Sequence, residues 1–358
     1  MDVVLIGLLI ISGLLIASFF ALRGEDLSRY DRTPAPPLLH APEPSAEHAE
    51  TVRLLAQMQS ERGPLKGKAL LKAMRANMDA FGDDADLSDL TLQQTNVDGV
   101  PAEWVYGHDR IPGRRLLYIH GGAFALGSPR SHRRITTALA RMNRCEVLAI
   151  DYRLMPEHRR LDCLTDCQSA YRWLLDHGPE GRSPVKQLFV AGDSAGGSLT
   201  LAVIAWARDE GLRAANAAVA LSPSTDNTLS SPSMRHNLAT DYMLAPMLGK
   251  IVRLPRALWL WMSVFAARTH PCDPRISPLH GDLSGLPPTL IHASEAEMLL
   301  DDARRYVNKA TDAGSPVNLE TWHHVVHVWH IFEGHLPEAN EAFDHITRFL
   351  ELNAPVVE

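Results

Sequence analysis

Short apolar runs recur along the middle of the chain, each bounded by polar or turn-forming residues. The runs 115–119, 146–150 and 188–191 are separated by stretches long enough for a crossover helix, and 217–221 and 289–291 continue the series. Strands that are buried on both faces of a parallel sheet have this uninterrupted apolar pattern. The pattern therefore predicts an α/β fold with a mostly parallel central sheet flanked by helices.

Two further segments lie outside this series of strands. The interval 227–274 interrupts the series and is rich in Leu, Met and Trp, which makes it too apolar for a solvated loop. We predict that it forms a helical cap together with residues 46–95, and that the cap gives an acyl or aromatic group an apolar pocket. Packing of these residues into the core alone is the alternative. The α/β domain is predicted to span residues 96–358, with the cap insertion inside it.

The first residues of the chain have a different pattern. From Val3 to Leu22 no residue is charged, and a helix of about 20 residues rises roughly 30 Å, the thickness of a bilayer core. We predict a transmembrane anchor in residues 1–23. The alternatives are a buried helix and a cleaved signal peptide, although Asp2 precedes the run where a signal peptide has a basic region. Three arginines in residues 23–32 follow the run, which by the positive-inside rule predicts a cytoplasmic domain.

Residues 24–45 are predicted to be a linker. They contain five prolines, all between residues 34 and 44. Because proline fixes φ and removes an amide donor, this stretch is expected to be extended and semi-rigid. It would hold the folded domain away from the membrane surface.

Composition excludes several classes of protein. The 358 residues are 46% hydrophobic, which is ordinary for a globular chain with a large core. The net charge of -7 argues against a nucleic-acid partner, since such proteins concentrate Lys and Arg on one face. The four cysteines lack a paired disulfide framework, and Cys163 and Cys167 have no second ligand pair for zinc. No metal or other cofactor is predicted.

The strongest candidate for chemistry is a serine between two glycines, in the sequence GDSAGG at 192–197. It follows the apolar run 188–191 and precedes the stretch 195–209, whose apolar residues recur at helical spacing. A strand that turns sharply into a helix strains its turn residue and exposes the side-chain oxygen, and small neighbours let the two backbones approach. Ser194 is therefore predicted to be a nucleophile near the positive end of a helix.

A nucleophilic serine needs a base, a carboxylate that orients the base, and donors for an oxyanion. The sequence HGGAF at 120–124 follows the predicted strand 115–119. Its glycines allow amide hydrogens to point at a ligand without obstruction by side chains. We predict an oxyanion hole formed by the amides of Gly121 and Gly122, with the amide of Ala195 as the third donor.

Three motifs in this order, HGGA at 120–123, DYRLMPEH at 151–158 and GDSAGG at 192–197, resemble the hormone-sensitive lipase family of α/β-hydrolases. The resemblance runs from Leu116 to Leu350. It implies the α/β-hydrolase fold and ester hydrolysis, because members are mostly carboxylesterases and lipases. The charged residues of 151–158 are expected to buttress the oxyanion loop, and Tyr152 is expected to face the pocket. An anchor ahead of such a domain also resembles the membrane-bound arylacetamide deacetylase and neutral cholesterol ester hydrolase branch.

The same resemblance implies the acid of the triad. Aligning residues 300–302 with the family's downstream acidic pair places Glu297 where the family usually has aspartate. Glutamate can orient a histidine as well as aspartate can. Glu295 is the alternative, while Asp301 and Asp302 are expected to begin or cap the next helix.

The base has to be chosen among five histidines, at positions 323, 324, 327, 330 and 335. In the family the catalytic histidine follows a tryptophan by a few residues and precedes an aromatic residue. Trp322 and Trp329 flank His327 in this way, so the resemblance implies that His327 is the base. His323 and His327 have i, i+4 spacing, but no HExxH motif accompanies them and zinc is not predicted.

These inferences favour a serine carboxylesterase that hydrolyses short- to medium-chain acyl or lipid-like esters through an acyl-enzyme. Amide cleavage by the same triad is one alternative, because the acyl-transfer apparatus is shared. A ligand binder without catalysis, such as the gibberellin receptor of plants, is another, although that receptor lacks the triad histidine. The expected partners are a small ester substrate and a bilayer contacted by residues 3–22. The oligomeric state is left open.

Overall fold

The computed structural model describes residues 13, 16–34, 39–40, 43–60 and 65–356. Within these residues the central feature is a nine-stranded sheet. Its strands are β1 (Leu39–His40), β2 (Leu90–Val97), β3 (Val100–Gly107), β4 (Arg114–Ile119), β5 (Glu146–Ile150), β6 (Gln187–Asp193), β7 (Ala217–Leu221), β8 (Thr289–Ser294) and β9 (Val317–Trp322). The helices are α1 (Ala46–Ser60), α2 (Gly67–Asp79), α3 (Arg133–Asn143), α4 (Arg160–Leu174), α5 (Ala195–Asp209), α6 (Ser233–His236), α7 (Ala245–Val252), α8 (Arg256–Ala267), α9 (Leu300–Asp312) and α10 (Pro337–Asn353).

The strands follow the order β1, β9, β8, β7, β6, β4, β5, β3, β2 across the sheet. Neighbouring strands are parallel, except that β3 is antiparallel to both β2 and β5. Parallel neighbours need crossover connections, which the helices supply. Because β6 lies between β4 and β7 in the middle of the sheet, the turn after β6 lies over the centre of its carboxyl edge.

Two apolar layers cover the faces of the sheet, and successive strand residues alternate between them. In β4, Leu116 and Tyr118 join the layer that contains α3 and α10, while Leu117 and Ile119 join the layer of α4, α5 and α9. All of β4 is buried, which explains the apolar run 116–119 in the sequence, and the two arginines that begin the strand are buried as well. The predicted α/β-hydrolase fold, with a mostly parallel sheet flanked by helices, is confirmed.

The sequence predicted a boundary between the cap segment 46–95 and the α/β domain 96–358. Strand β2 of the hairpin formed by β2 and β3 crosses this boundary. Strand β2 carries polar residues at 93–96 and is mostly half-buried, so it lacks the apolar run by which the other strands were recognised. Asp98 and Gly99 connect the two strands with positive φ at both positions, 50° and 98°. This is the geometry of a tight two-residue hairpin turn.

Both segments that the sequence predicted as a cap contain helices, although residues 90–95 of the first segment belong to strand β2. Helices α1 and α2 occupy the first segment, and α6, α7 and α8 occupy the interval 227–274. Met243, Leu244 and Met247, at and just before α7, line the same cavity as Leu55 of α1 and Met74 of α2. Residues from both segments therefore line one cavity.

The predicted membrane anchor lies largely outside the described residues, which include only residue 13 and residues 16–22 of the uncharged run. Residues 16–22 are helical. Among the residues that the structure describes, no helix combines the length and the apolar character needed to cross a bilayer.

Candidate active site

The elbow predicted around Ser194 is formed by the turn from β6 into α5. Ser194 has φ 51° and ψ −113°, a strained combination for a residue with a side chain. A Cβ on Gly196 would lie 1.9 Å from the carbonyl oxygen of Ile119, and one on Gly192 would lie 2.6 Å from that of Gly196. Both glycines are therefore required by the close approach of neighbouring backbones, which exposes the serine at the carboxyl edge of the sheet.

The three residues predicted as a triad lie in one hydrogen-bonded chain. Nε2 of His327 is 2.9 Å from Oγ of Ser194, and Nδ1 of His327 is 2.6 Å from Oε2 of Glu297. Glu297 follows β8, and His327 follows β9, so both approach the serine from neighbouring loops. The other oxygen of Glu297 accepts the amide hydrogen of Ser294 at 3.1 Å. This geometry leaves Nε2 as the acceptor of the serine proton when Nδ1 carries the imidazole hydrogen.

The surroundings of His327 favour its protonated form. Burial alone lowers the pKa of the imidazole, but the hydrogen bond and the negative charge of Glu297 outweigh it. The charges of Asp241 and Asp193 act in the same direction, and the pKa of His327 is raised above 6.5. A base of this kind accepts a proton readily from an attacking serine, because the imidazolium is stabilised in the site.

The alternative acid, Glu295, has a different partner in the structure. Glu295 pairs with Arg304 at 2.6 Å, whereas the hydrogen bond to Nδ1 of His327 found in the described part of the chain is that of Glu297. Asp301 and Asp302 lie in the first turn of α9, as the sequence predicted. Asp302 also accepts hydrogen bonds from the amides of Thr225 and Asp226.

The oxyanion loop requires a correction to the sequence prediction. The amide of Gly121 donates to Oδ1 of Asp193 at 2.9 Å, so it is not available to a substrate oxygen. A Cβ on Gly121 would lie 2.0 Å from Oδ2 of Asp193, which shows that glycine is needed here for the approach of this carboxylate. Gly122 and Ala123 both line the cavity beside Ser194. Among the described residues none accepts a hydrogen bond from the amides of Gly122, Ala123 or Ala195, which makes these three the candidate donors.

A buried network fixes the elbow to the oxyanion loop. Asp193 accepts a hydrogen bond from the hydroxyl of Tyr118 at 2.6 Å, and its other oxygen lies 3.3 Å from Nε2 of His132. Burial alone would raise the pKa of Asp193, but His132 and Tyr118 more than offset this and the pKa is lowered. Sequence reasoning missed this role of Asp193. The position of Asp193 beside the nucleophile was visible in the sequence, but its partners lie on β4 and near α3.

The motif at 151–158 supports the oxyanion loop from the other side. The hydroxyl of Tyr152 donates to the carbonyl oxygen of His120 at 2.8 Å, and the two rings stack with centroids 4.3 Å apart. The amide of Met155 donates to the carbonyl oxygen of Phe124 at 2.8 Å. The motif thus supports the loop through Tyr152 and the backbone of Met155, and Tyr152 is buried and is not among the residues that line the cavity.

The cap holds the loop that carries the acid. The side-chain amide of Asn237 donates to the carbonyl oxygens of Glu295 and Glu297 at 2.9 and 2.8 Å. Asp241 accepts the amide hydrogen of Met298 at 2.8 Å. Residues of the cap insertion therefore fix the backbone on both sides of the triad carboxylate, a connection that the sequence did not indicate.

The remaining histidines lie outside the triad. His330 is buried, and its Nε2 is 3.1 Å from Nδ1 of His292. Burial lowers the pKa of His330 well below 6.5. In the described part of the chain, no group of three or more His, Cys, Asp or Glu side chains is arranged to hold a metal ion.

An apolar cavity opens beside the triad, with a volume of about 150 Å³. Ser194, His327 and the oxyanion loop form its polar side. The apolar lining consists of Leu55, Met58, Met74, Met78, Phe81, Leu126, Met243, Leu244, Met247, Val328 and Ile331. An acyl group whose carbonyl carbon lies at Ser194 would place its chain among these side chains.

We expect Gly122→Ala to lower kcat by about 10²-fold, because displaced oxyanion donors no longer match the transition state. Gly122 has φ 112°, and a Cβ there would lie 2.3 Å from the backbone oxygen of Leu126, which cannot move freely. The matched control is Gly99→Ala, which has φ 98° but open space around its Cβ. Steady-state kinetics with a soluble ester checks the prediction. A folded Gly122→Ala protein with the kcat of Gly99→Ala would contradict it.

The class of protein follows from the fold and the site together. A serine hydrolase with the α/β-hydrolase fold has a nucleophile elbow, a hydrogen-bonded Ser-His-acid chain and backbone amides beside the serine that can receive an oxyanion. Residues 116–331 match the model of a protein family that is described as "alpha/beta hydrolase fold". An acetyl-hydrolase of Streptomyces hygroscopicus is 40% identical over 250 residues, which cover 70% of this chain and 79% of the relative.

Solved structures give the same result. The crystal structure of EstE5 soaked in ethyl alcohol matches with a TM-score of 0.76 and 34% identity, over 86% of this chain and 99% of that one. An esterase from the bacterial hormone-sensitive lipase family matches with a TM-score of 0.74 and 32% identity, over 87% and 99% of the two chains. The chain belongs to the hormone-sensitive lipase family of α/β-hydrolases, and it is a carboxylic ester hydrolase.

Proposed function

We propose that this carboxylesterase hydrolyses esters of short- to medium-chain acids through an acyl-enzyme on Ser194. The observation that carries the proposal is the chain Ser194–His327–Glu297 beside a small apolar cavity. Amide hydrolysis by the same residues is the second candidate, because the acyl-transfer apparatus is shared.

The reaction follows from the positions of the donors and acceptors. Oγ of Ser194 attacks the ester carbonyl carbon while Nε2 of His327 takes the serine proton, and Glu297 stabilises the imidazolium through Nδ1. The amides of Gly122, Ala123 and Ala195 receive the oxyanion. His327 then gives its proton to the departing alcohol. Water attacks the acyl-enzyme in the second half, with His327 again as base, and the free acid leaves.

The size and lining of the cavity support a limited acyl length. Its volume of about 150 Å³ equals that of an engineered cavity known to hold one benzene ring, so about six carbons fit. Five of the lining residues are methionines, whose unbranched side chains adapt to chains of different shape. One relative is described as an acetyl-hydrolase, which is consistent with a short acyl group.

We expect Met78→Trp to shorten the preferred acyl chain, because the indole fills part of the cavity. The kcat/KM for a hexanoate ester should fall by about tenfold relative to that for acetate. Met262→Trp is the matched control, since Met262 is on the exposed side of α8 and does not line the cavity. A series of p-nitrophenyl esters from acetate to octanoate measures the profile. An unchanged profile in Met78→Trp would show that the acyl chain lies elsewhere, and faster cleavage of the matching anilides would favour an amidase.

We also propose that the uncharged run of residues 3–22 attaches the enzyme to a bilayer, with the folded domain in the cytoplasm. The support for attachment is the length of the run without charge, and the support for orientation is the set of arginines in residues 23–32 that follows it. The substrates of an enzyme held at a bilayer include lipid-like esters that partition there.

A further inference from the structure

Helix α8 of the cap presents an apolar face to the outside of the molecule. Leu258, Met262 and Phe265 are 48%, 40% and 75% exposed, and their spacing of four and three residues puts them on one side of the helix. The opposite side, with Leu260 and Ala267, is buried. A surface helix of a protein surrounded by water normally has polar residues on its outer face. The outer face of α8 therefore indicates a partner that is itself apolar.

The end of the uncharged N-terminal run lies against this helix. The indole of Trp261 donates to Oγ of Ser18 at 3.0 Å, and the guanidinium of Arg256 lies 5.9 Å from the centre of the Phe19 ring. Ile16 and Phe20 on the N-terminal segment are 59% and 58% exposed. The apolar face of α8 thus continues onto the segment that leads to residues 3–15, which carry no charge.

The segment that carries this face is basic. Residues 242–272 contain four basic residues and no acidic residue, although the whole chain has a net charge of -7. Three of the four, Lys250, Arg253 and Arg268, are exposed. A helix with exposed apolar residues, tryptophans and flanking basic residues is typical of binding in the interface of an anionic membrane. A second copy of this chain would bring two such basic segments together, which like charges disfavour.

We propose that the outer face of α8, formed by Leu258, Met262 and Phe265, lies in the interfacial layer of an anionic bilayer. The proposal rests on the proposed bilayer attachment of residues 3–22 and adds a second contact, made by the cap itself. It places α7, whose Met247 lines the substrate cavity, next to the membrane surface. Esters that partition into the bilayer then reach the cavity without crossing bulk water.

The test uses the full chain with an environment-sensitive NBD label on Phe265→Cys. The background carries Cys272→Ser, since the other three cysteines are buried. The control label is on Leu352→Cys, at the end of α10, where Leu352 is 81% exposed. The protein is mixed with phosphatidylcholine vesicles with and without phosphatidylglycerol. We expect the emission at position 265 to rise several-fold with phosphatidylglycerol and to be quenched by lipids brominated in the acyl chain, while position 352 is unchanged. Added salt should weaken the effect of phosphatidylglycerol.

The outcomes separate this inference from the proposed attachment. If the protein floats with the vesicles but the NBD emission at position 265 remains that of a label in water, the attachment of residues 3–22 stands and the proposed contact of α8 with the bilayer is wrong. If the protein does not float, both are wrong. Emission at position 265 that rises with protein concentration without vesicles would identify a second copy as the partner and overturn the inference.

A second variant tests the consequence for the substrate. Phe265→Asp should leave hydrolysis of a water-soluble acetate ester unchanged and should lower, several-fold, the hydrolysis of a long-chain ester presented in phosphatidylglycerol-containing vesicles. Leu352→Asp is the control and should change neither. Equal loss on both substrates would indicate damage to the fold of the cap, and unchanged hydrolysis of the vesicle-borne ester would contradict the bilayer contact.

Discussion

Ser194→Ala is expected to lower kcat by on the order of 10⁶-fold, because no other group can form the acyl-enzyme. Residual hydrolysis over the uncatalysed rate would come from the oxyanion amides and from binding. The variant should fold normally, since alanine carries a Cβ as serine does and meets the same steric restriction at φ 51°, and the change removes only one hydroxyl. The measurement combines steady-state kinetics with covalent labelling by a fluorophosphonate, which the wild-type protein should take up at one residue.

The matched control is Ser198→Ala. Ser198 is buried one turn further along α5, so its replacement removes a hydroxyl from the same helix without touching the triad. It should retain both turnover and labelling. Labelling of the Ser194→Ala protein, or turnover within about tenfold of wild type, would require a different nucleophile, because triad serines lose far more than this on removal.

The nucleophile could be predicted because its signal is local. A serine held between close-packed backbones needs glycine at Gly192 and Gly196, and both glycines stand within two residues of the serine in the sequence, although one of the backbones they approach is that of Ile119. The buried strands were predictable for a related reason. Burial on both faces leaves an apolar run in the sequence whatever the neighbouring strands are.

The donors of the oxyanion hole could not be predicted in the same way. Gly121 and Gly122 are adjacent, and the sequence does not show which amide points into the protein. The direction of the Gly121 amide is set by Asp193, a residue distant in the chain, whose carboxylate accepts the hydrogen bond of that amide. Ala123 was missed because it has a side chain and a positive φ of 54°, which is uncommon for a residue other than glycine. The resemblance pointed to Glu297 as the acid, but it did not indicate the contacts of Asn237 and Asp241 that hold the loop of Glu297.

Glu297→Gln is expected to lower kcat by about 10⁴-fold, because the amide side chain can donate to Nδ1 of His327 and so favour the tautomer that cannot accept the serine proton. The acidic limb of the pH profile should also move. The wild-type base must be neutral, and its pKa is raised above 6.5, so kcat/KM should rise with pH through a value above 6.5. Glutamine removes the charge that raises this pKa. The acidic limb in the pH profile of the Glu297→Gln variant's residual kcat/KM should therefore lie at lower pH than in the wild type.

Glu295→Gln is the control that separates orientation of the base from a general loss of negative charge near it. Glu295 is two residues away and pairs with Arg304 instead of His327, so its replacement should leave kcat within about twofold, as for other partly exposed ion pairs. Its pH limb should coincide with that of the wild type. If both variants lost activity equally, the loop and not the carboxylate at Glu297 would be the important element. If only Glu295→Gln were inactive, the acid would be Glu295, and the hydrogen bond of 2.6 Å between Glu297 and His327 would have no catalytic role.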